Sequence, residues 1–385
     1  MIAHSLLRDA FKTQFGYFAS AYYFSPGRVN LIGEHIDYNG GYVMPASISL
    51  GISAAVAWRD DDIICVYAND FKEKSTFSIS DNLADINKTA IHWSDYIKAT
   101  LQVLKDKNTK LRGADIYISS DLPLGAGLSS SAALECLIAF IFDEVESEKN
   151  RTALALHAQL AERKYVGVNC GIMDQFAVAN GKDKHAIILN CATLDYEYTP
   201  ADFKSYQLVI INSNKSRTLA SSKYNERRKE CDAAFEQLKK IDIAADLCHI
   251  HEISLATLED DVLYQRAKHA ILENKRVKHA VQVLKNGNIE AFGQLLTESH
   301  ISLDRDYEVS CHELNMIVHY STHFEACIGA RMTGAGFGGC CIALVAKEKV
   351  PQFIAYVGKK YTEKTGLKAD FYCAEIVDGV RSILE

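Results

Sequence analysis

Two glycine-rich segments, one dense polar run and one isolated carboxylate hold the residue types that do chemistry. Residues 122–133 read Leu-Pro-Leu-Gly-Ala-Gly-Leu-Ser-Ser-Ser-Ala-Ala, between a strand-like run and an apolar helical run. Gly125 and Gly127 allow turns and close approaches that a Cβ would block, and Pro123 stiffens the segment ahead of them. Ser129, Ser130 and Ser131 then fall at the N-cap and first turn of the following helix. There, unpaired N–H groups and the positive end of the helix dipole point outward, which suits a phosphate held by backbone amides. With no lysine in the segment and no G-x-x-x-x-G-K-[ST], this is not a Walker A loop. A glycine turn with a plain N-cap is the competing reading, but one serine would serve that purpose.

The second cluster, Thr333-Gly334-Ala335-Gly336-Phe337-Gly338-Gly339, fails as a dinucleotide fingerprint because the residues after it, 340–345, are β-like rather than helical. A tight connection between two strands fits, either reaching over a ligand or serving only as a hairpin. Residues 25–41 interleave Arg28, Glu34, His35 and Asp37 with Val29, Leu31 and Ile32. Carboxylates and an imidazole gathered this way suit the vicinal hydroxyls of a sugar, although a salt-bridged turn would also account for them. Asp174 stands alone in the apolar stretch 169–176 and must find a partner or take up a proton. Glu162, twelve residues earlier, is a plausible magnesium ligand together with a loop serine and phosphate oxygens. The Cys248-His249-Ile250-His251-Glu252 run lacks a second Cys/His pair at finger spacing and reads as a surface turn.

The elements that must position these groups alternate irregularly, which predicts an α+β fold. The pattern places an extended segment over 22–32, paired strands over 50–58 and 63–67, a helix over 93–104 and a strand over 114–119. Helices follow over 129–144 and 152–165, with short strands over 186–190 and 207–212. The second half opens with a charged helix over 221–241, then helices over 263–284 and 289–299, the glycine hairpin, a helix over 350–365 and a strand over 369–377. At 385 residues the chain is long enough for two domains, divided near residue 195 into 1–195 and 196–385. Hydrophobic residues make up 48% and charged residues 24%, an ordinary globular balance. A net charge of −7, without a clustered Lys/Arg stripe, argues against nucleic acid. The longest apolar run, 132–142, is too short to span a bilayer and contains Glu135, and the first residues do not read as an export signal. Eleven cysteines, odd in number and without a C-x-x-C pair, fit free thiols in a reducing cytoplasm.

Residues 27–41, 123–132 and 332–339 together resemble the GHMP kinase superfamily and, within it, the galactokinase family, with Ile36 where that signature usually has Thr. The stretches 170–176 and 212–228 extend the resemblance over most of the chain. It implies two α+β domains, the first like the second domain of ribosomal protein S5 and the second ferredoxin-like, with the active site in the cleft between them. It also implies transfer of the γ-phosphoryl group of ATP to the anomeric hydroxyl of D-galactose, with Mg²⁺ as cofactor and no obligate protein partner. Arg28 and Asp174 would flank that hydroxyl, and Glu34, His35, Asp37, Gly171 and Tyr224 would contact the sugar. Pro123, Gly125, Ala126, Gly127, Leu128, Ser129, Ser130, Ser131 and Ala132 would cradle the nucleotide phosphates. Ser131 and Glu162 would hold the metal, and Trp93 and Tyr96 would lie near the adenine. An arginine beside Asp174 would keep that carboxylate ionised and make it a weak base, so it would orient the hydroxyl and take its proton late. The alternatives are a kinase for N-acetylgalactosamine or another sugar, and a non-catalytic galactose and ATP sensor; the intact Ser131-Ala132-Ala133 favours the enzyme.

Overall fold

The computed structural model describes residues 4–123, 125–216 and 220–383. Leu124 of the serine loop and residues 217–219 of the 212–228 stretch lie outside the described residues.

The first half is built on a six-stranded sheet in the order Arg381–Ser382, Ala21–Asn30, Pro45–Trp58, Ala114–Ser120, Ile63–Ala68, Glu73–Ser78. Alternation divides its residues between two faces. Tyr22, Ala55, Ala57 and Tyr117 meet Leu7 and Phe11 of the helix His4–Phe15. Tyr23, Ala54, Val56, Ile116 and Ile118 join the main core on the other face. The helix Ser130–Phe142 packs against the strands Ala21–Asn30 and Pro45–Trp58. Its residues from Ala132 to Phe142 are all buried, as expected of a helix apolar on every side but for Glu135.

The expected pairing of 50–58 with 63–67 is not found. Ala114–Ser120 lies between them, antiparallel to the first (Ala54↔Ile118) and parallel to the second (Val66↔Ile116). The short connection at 59–62 looks like a hairpin turn locally. The inserted strand is buried almost throughout, Ala114, Ile116 and Ile118 toward the main core and Tyr117 toward the helix His4–Phe15, and takes the central place.

The second half centres on an antiparallel sheet ordered Cys327–Thr333, Cys340–Ala346, Tyr206–Asn212, Asp370–Ala374. Around it lie helices Ile289–Arg305, His312–Thr322 and Val350–Thr365. A hairpin, His185–Asn190 with Tyr196–Pro200, extends a small sheet begun by Tyr42–Val43, and residue 195 falls in its turn. The chain thus adopts the expected α+β class. Two helices are shorter than expected: 129–144 becomes Ser130–Phe142 followed by Glu144–Lys149, and 152–165 becomes Arg151–Leu160 followed by a π-helical turn, Ala161–Val166. His4–Phe15, Met173–Asn180 and His312–Thr322 were not anticipated.

The two halves meet through buried polar groups. Arg331, fully buried on the strand Cys327–Thr333, donates to the Leu31 carbonyl at 2.9 Å and lies 3.7 Å from the Glu34 carboxylate. Glu273, on the helix Asp261–Lys285, accepts from the Gly33 N–H at 3.0 Å and from Ser299 at 2.6 Å. His269, on the same helix, lies 3.1 Å from the Glu34 carbonyl, an oxygen that can only accept, so its Nε2 carries the proton.

Arg331→Met is expected to destabilise the chain by about 3 kcal/mol or more, because it leaves the Glu34 carboxylate buried without its cation. Urea unfolding of the two proteins measures this, and a loss below about 1 kcal/mol would show the pair to be dispensable.

Candidate active site

The strand Ala21–Asn30 carries an irregularity between Pro26 and Arg28 that turns the Arg28 side chain toward the serine loop. A Cβ on Gly27 would sit 2.7 Å from the Leu128 carbonyl and 2.5 Å from a Leu122 methyl, so only glycine lets the strand lie this close. The Arg28 N–H donates to that Leu128 carbonyl at 3.2 Å. Its guanidinium forks onto Asp174, Nε to Oδ1 at 2.8 Å and Nη2 to Oδ2 at 2.7 Å, while Nη1 donates to the Gly127 carbonyl at 2.8 Å. Asp174 is the second residue of the helix Met173–Asn180, and its side chain keeps 33% exposure where that of Arg28 keeps 7%.

Ser129 stands at the N-cap, but its side chain makes no cap; it donates to Asp174 Oδ2 instead. Its φ of 63° is left-handed, a strained setting for a serine that is fixed by that bond. The Ala133 N–H closes the first turn on the Ser129 carbonyl at 2.9 Å. The N–H groups of Ser130, Ser131 and Ala132 are thereby the unpaired donors that any helix start leaves.

A cavity of about 500 Å³ opens beside Arg28 and Asp174 and gathers Glu34, His35, Asp37, Gly171 and Tyr224. All seven residues expected at the acceptor site line it, drawn from segments almost 200 residues apart. A Cβ on Gly171 would reach within 2.8 Å of the Asp37 carboxylate. Burial, reinforced by the Glu34 and Asp174 charges, pushes the Asp37 carboxyl up to about 6. Burial holds the His35 imidazole down to about 3, so it is neutral. The Ala335 carbonyl, 3.2 Å from Nε2, fixes the proton there and leaves Nδ1 to accept from Tyr38 at 2.8 Å. Tyr38 lies 2.9 Å from the Tyr307 hydroxyl, which lies 3.0 Å from Cys231 Sγ. Burial also raises the Tyr224 hydroxyl, which stays protonated. The Glu34 carboxylate is largely engaged by the protein: Asn30, the Gly334 N–H and Thr333 all donate to it.

Trp93 and Tyr96 line a second cavity of about 170 Å³ that also touches Ser130 and Ser131, which brings the aromatic pair to the serine loop. Phe71 stacks on Trp93 with the ring planes 9° apart; a lone aromatic in a polar turn gave no signal of this. Ser131 lies near the Glu162 carboxyl, which sits on the π-helical turn and accepts from Gln175 at 2.6 Å. Burial raises Glu162, offset in part by the polar groups of Cys170, Ser131 and Gln175 beside it. Thr333–Gly339 forms the strand connection expected of it, with Thr333 paired to Cys340, and folds over the sugar-side cavity through Gly334 and Ala335. Pattern reasoning also missed Arg228 at the cavity wall. In the Cys248–Glu252 run, Cys248, His249 and His251 turn to three separate partners, the Ala270 carbonyl, Asp246 and Asp242.

A family model described as the galactokinase galactose-binding signature matches residues 9–58. Models for the N-terminal and C-terminal domains of GHMP kinases match 95–182 and 280–363. The chain is 46% identical over 380 residues to a galactokinase of Clostridium perfringens, covering 97% of this chain and 98% of that one. It is 45% identical over 370 residues to a galactokinase of Bacillus subtilis, covering 94% of each. The crystal structure of Lactococcus lactis galactokinase complexed with galactose superposes with a TM-score of 0.90 at 39% identity, over 98% of this chain and 99% of that one. Methanococcus jannaschii mevalonate kinase, at 20% identity and a TM-score of 0.68 over 93% of this chain and 98% of that one, shares the fold.

The raised Asp37 carboxyl carries a pH signature. Because the folded chain holds this proton more tightly, Asp37 adds stability below its ordinary value of 3.8 and loses it as pH rises through about 6. Asp37→Asn should therefore gain up to about 3 kcal/mol over the parent between roughly pH 4 and pH 8, measured by urea unfolding at each pH. A difference independent of pH would contradict the raised value.

Proposed function

The chain belongs to the galactokinase family of the GHMP kinases, and we propose that the cavity beside Arg28 and Asp174 is where it phosphorylates its sugar. The reaction moves the γ-phosphoryl group of ATP to the anomeric hydroxyl of D-galactose, giving α-D-galactose 1-phosphate and ADP, the first committed step of galactose catabolism. The observation that carries this assignment is the Arg28 fork. One guanidinium joins the carboxylate at the mouth of the sugar-side cavity to the backbone of the serine loop.

In this reading Asp174 accepts the hydrogen of the anomeric hydroxyl and orients its oxygen toward the phosphate. Its oxygens already receive Arg28 Nε, Arg28 Nη2 and the Ser129 hydroxyl, which hold the carboxylate in one orientation, and the proton moves late. Phosphoryl transfer needs little more, since positioning and charge neutralisation carry most of its rate. Arg28 faces the charge that develops. Asp37, with Glu34, neutral His35, Gly171 and Tyr224, sorts the sugar hydroxyls. The N–H groups at the start of the helix Ser130–Phe142 hold the phosphates, and Trp93 and Tyr96, with Phe71, flank the base.

Ser131 and Glu162 fit a magnesium ion: a hydroxyl and a carboxylate, close to one another, supply hard oxygen ligands at the loop that would carry the phosphates. When bound, such an ion neutralises charge on the phosphate oxygens. The proposal includes a division into 1–195 and 196–385, from which the last strand, Arg381–Ser382, returns to the first sheet, and a chain that works in the cytoplasm on small molecules without an obligate protein partner. Among the described residues, no helix is long and apolar enough to cross a membrane.

Asp174→Asn is expected to lower kcat by at least about a hundredfold with galactose and ATP still bound, read from ADP release and sugar-binding calorimetry. Near-normal turnover would remove Asp174 from the mechanism. ADP release across galactose, N-acetylgalactosamine, glucose and arabinose tests the acceptor. Galactose should give the highest kcat/KM. A higher value for N-acetylgalactosamine would reassign the sugar, and binding of sugar and ATP without ADP release would make the chain a sensor.

A further inference from the structure

Behind Ser131 and Glu162 lies a polar cluster that the reaction as described does not use. Glu135 follows Ser131 by one helical turn, on the same face of Ser130–Phe142. Gln175 follows Asp174 on Met173–Asn180. Glu135 and Gln175 are fully buried, and Glu162 is 6% exposed. The Gln175 amide nitrogen donates to Glu162 Oε2 at 2.6 Å and to Glu135 Oε2 at 3.1 Å.

We infer that Gln175, anchored by Glu135, is a positioning residue that clamps the Glu162 carboxylate toward Ser131. A side-chain amide has two N–H donors, and one serves each of the two carboxyl groups. Neither Gln175 Oε1 nor Glu135 Oε1 has a hydrogen-bond partner among the described residues. A residue present only to fill this space would be apolar and leave no oxygen orphaned, so the amide is there for its two donors. Glu162 needs such a clamp. It sits on a π-helical turn, a departure from regular helix that recurs at functional sites, and its long side chain has several rotamers. The hydrogen bond from Gln175 selects one of them, with Ser131 and Cys170 close by.

The inference rests on the proposal that Ser131 and Glu162 hold the divalent ion, and the test separates the two. Mg²⁺ binding in the presence of ADP is measured by calorimetry, ADP release at saturating galactose and ATP is measured while free Mg²⁺ is titrated, and the galactose KM is measured separately at saturating Mg²⁺. Gln175→Met should raise the half-saturating Mg²⁺ about tenfold or more, the range for lost partners of metal ligands, and leave the galactose KM within about twofold. Glu135→Met should move the Mg²⁺ requirement the same way, while Glu135→Gln, whose oxygen still accepts from Gln175, should restore most of it. If Gln175→Met fails to fold, the Glu135 pair carries the test by itself. An unchanged Mg²⁺ requirement beside a raised one in Glu162→Gln would overturn the clamp alone. No change in Glu162→Gln would overturn the metal assignment and the clamp with it. Parallel losses in Mg²⁺ and galactose constants would reduce Gln175 to a structural role.

Discussion

One nearly buried cation sets the geometry of the site. Arg28 reaches the strand Ala21–Asn30, the serine loop and the helix Met173–Asn180 with four donors: its backbone N–H to Leu128, Nη1 to Gly127, and Nε and Nη2 to Asp174. Burying a guanidinium is costly unless each face of it is met, so the three segments are held in one mutual arrangement. Other oddities of the loop follow from this. Gly27 is required because the strand must lie against Leu128, and Ser129 takes a left-handed backbone because its hydroxyl turns back to the same Asp174. A lysine could supply the charge but not the planar fork.

The signature loop 31–41 belongs to the first half of the sequence and is held in place by the second. Glu273 fixes the Gly33 amide, His269 the Glu34 carbonyl, Arg331 the Leu31 carbonyl, and the Glu34 side chain in turn holds the Gly334 amide. These contacts bury charge, so each half would expose uncompensated ionic groups if it moved away. The cavity wall on this side is thus tied to both halves of the chain.

What could be read in the sequence was residue type at short spacing. Glycines ahead of serines, or Glu-His beside Asp, are unusual enough to stand out, and the fold gathers the expected acceptor-site residues around one cavity. Partners were not legible, because spacing alone does not say which side chains meet. Nothing near Glu34 foretold that Arg331 and Thr333, some 300 residues on, would occupy it, and even Gln175, 13 residues from Glu162, gave no sign of the contact. The strand order failed for a related reason: a short connection suggests a hairpin, and only the assembled sheet reveals that Ala114–Ser120 inserts between the two strands. Met173–Asn180 was missed because two helical turns are too few for a periodicity to show.

The outermost strand of the first sheet is Arg381–Ser382, paired with Tyr23 and Phe24, and Ile376 bridges to Ile48. On the ribosome, the N-terminal half therefore emerges with one sheet edge uncovered, and the residues that cover it are made only after the entire second half. The nascent chain cannot complete its domains in the order in which they are synthesised. Until residues 376–382 leave the exit tunnel, the strand that carries Arg28 presents an open edge, the kind of surface on which chaperones and self-association compete.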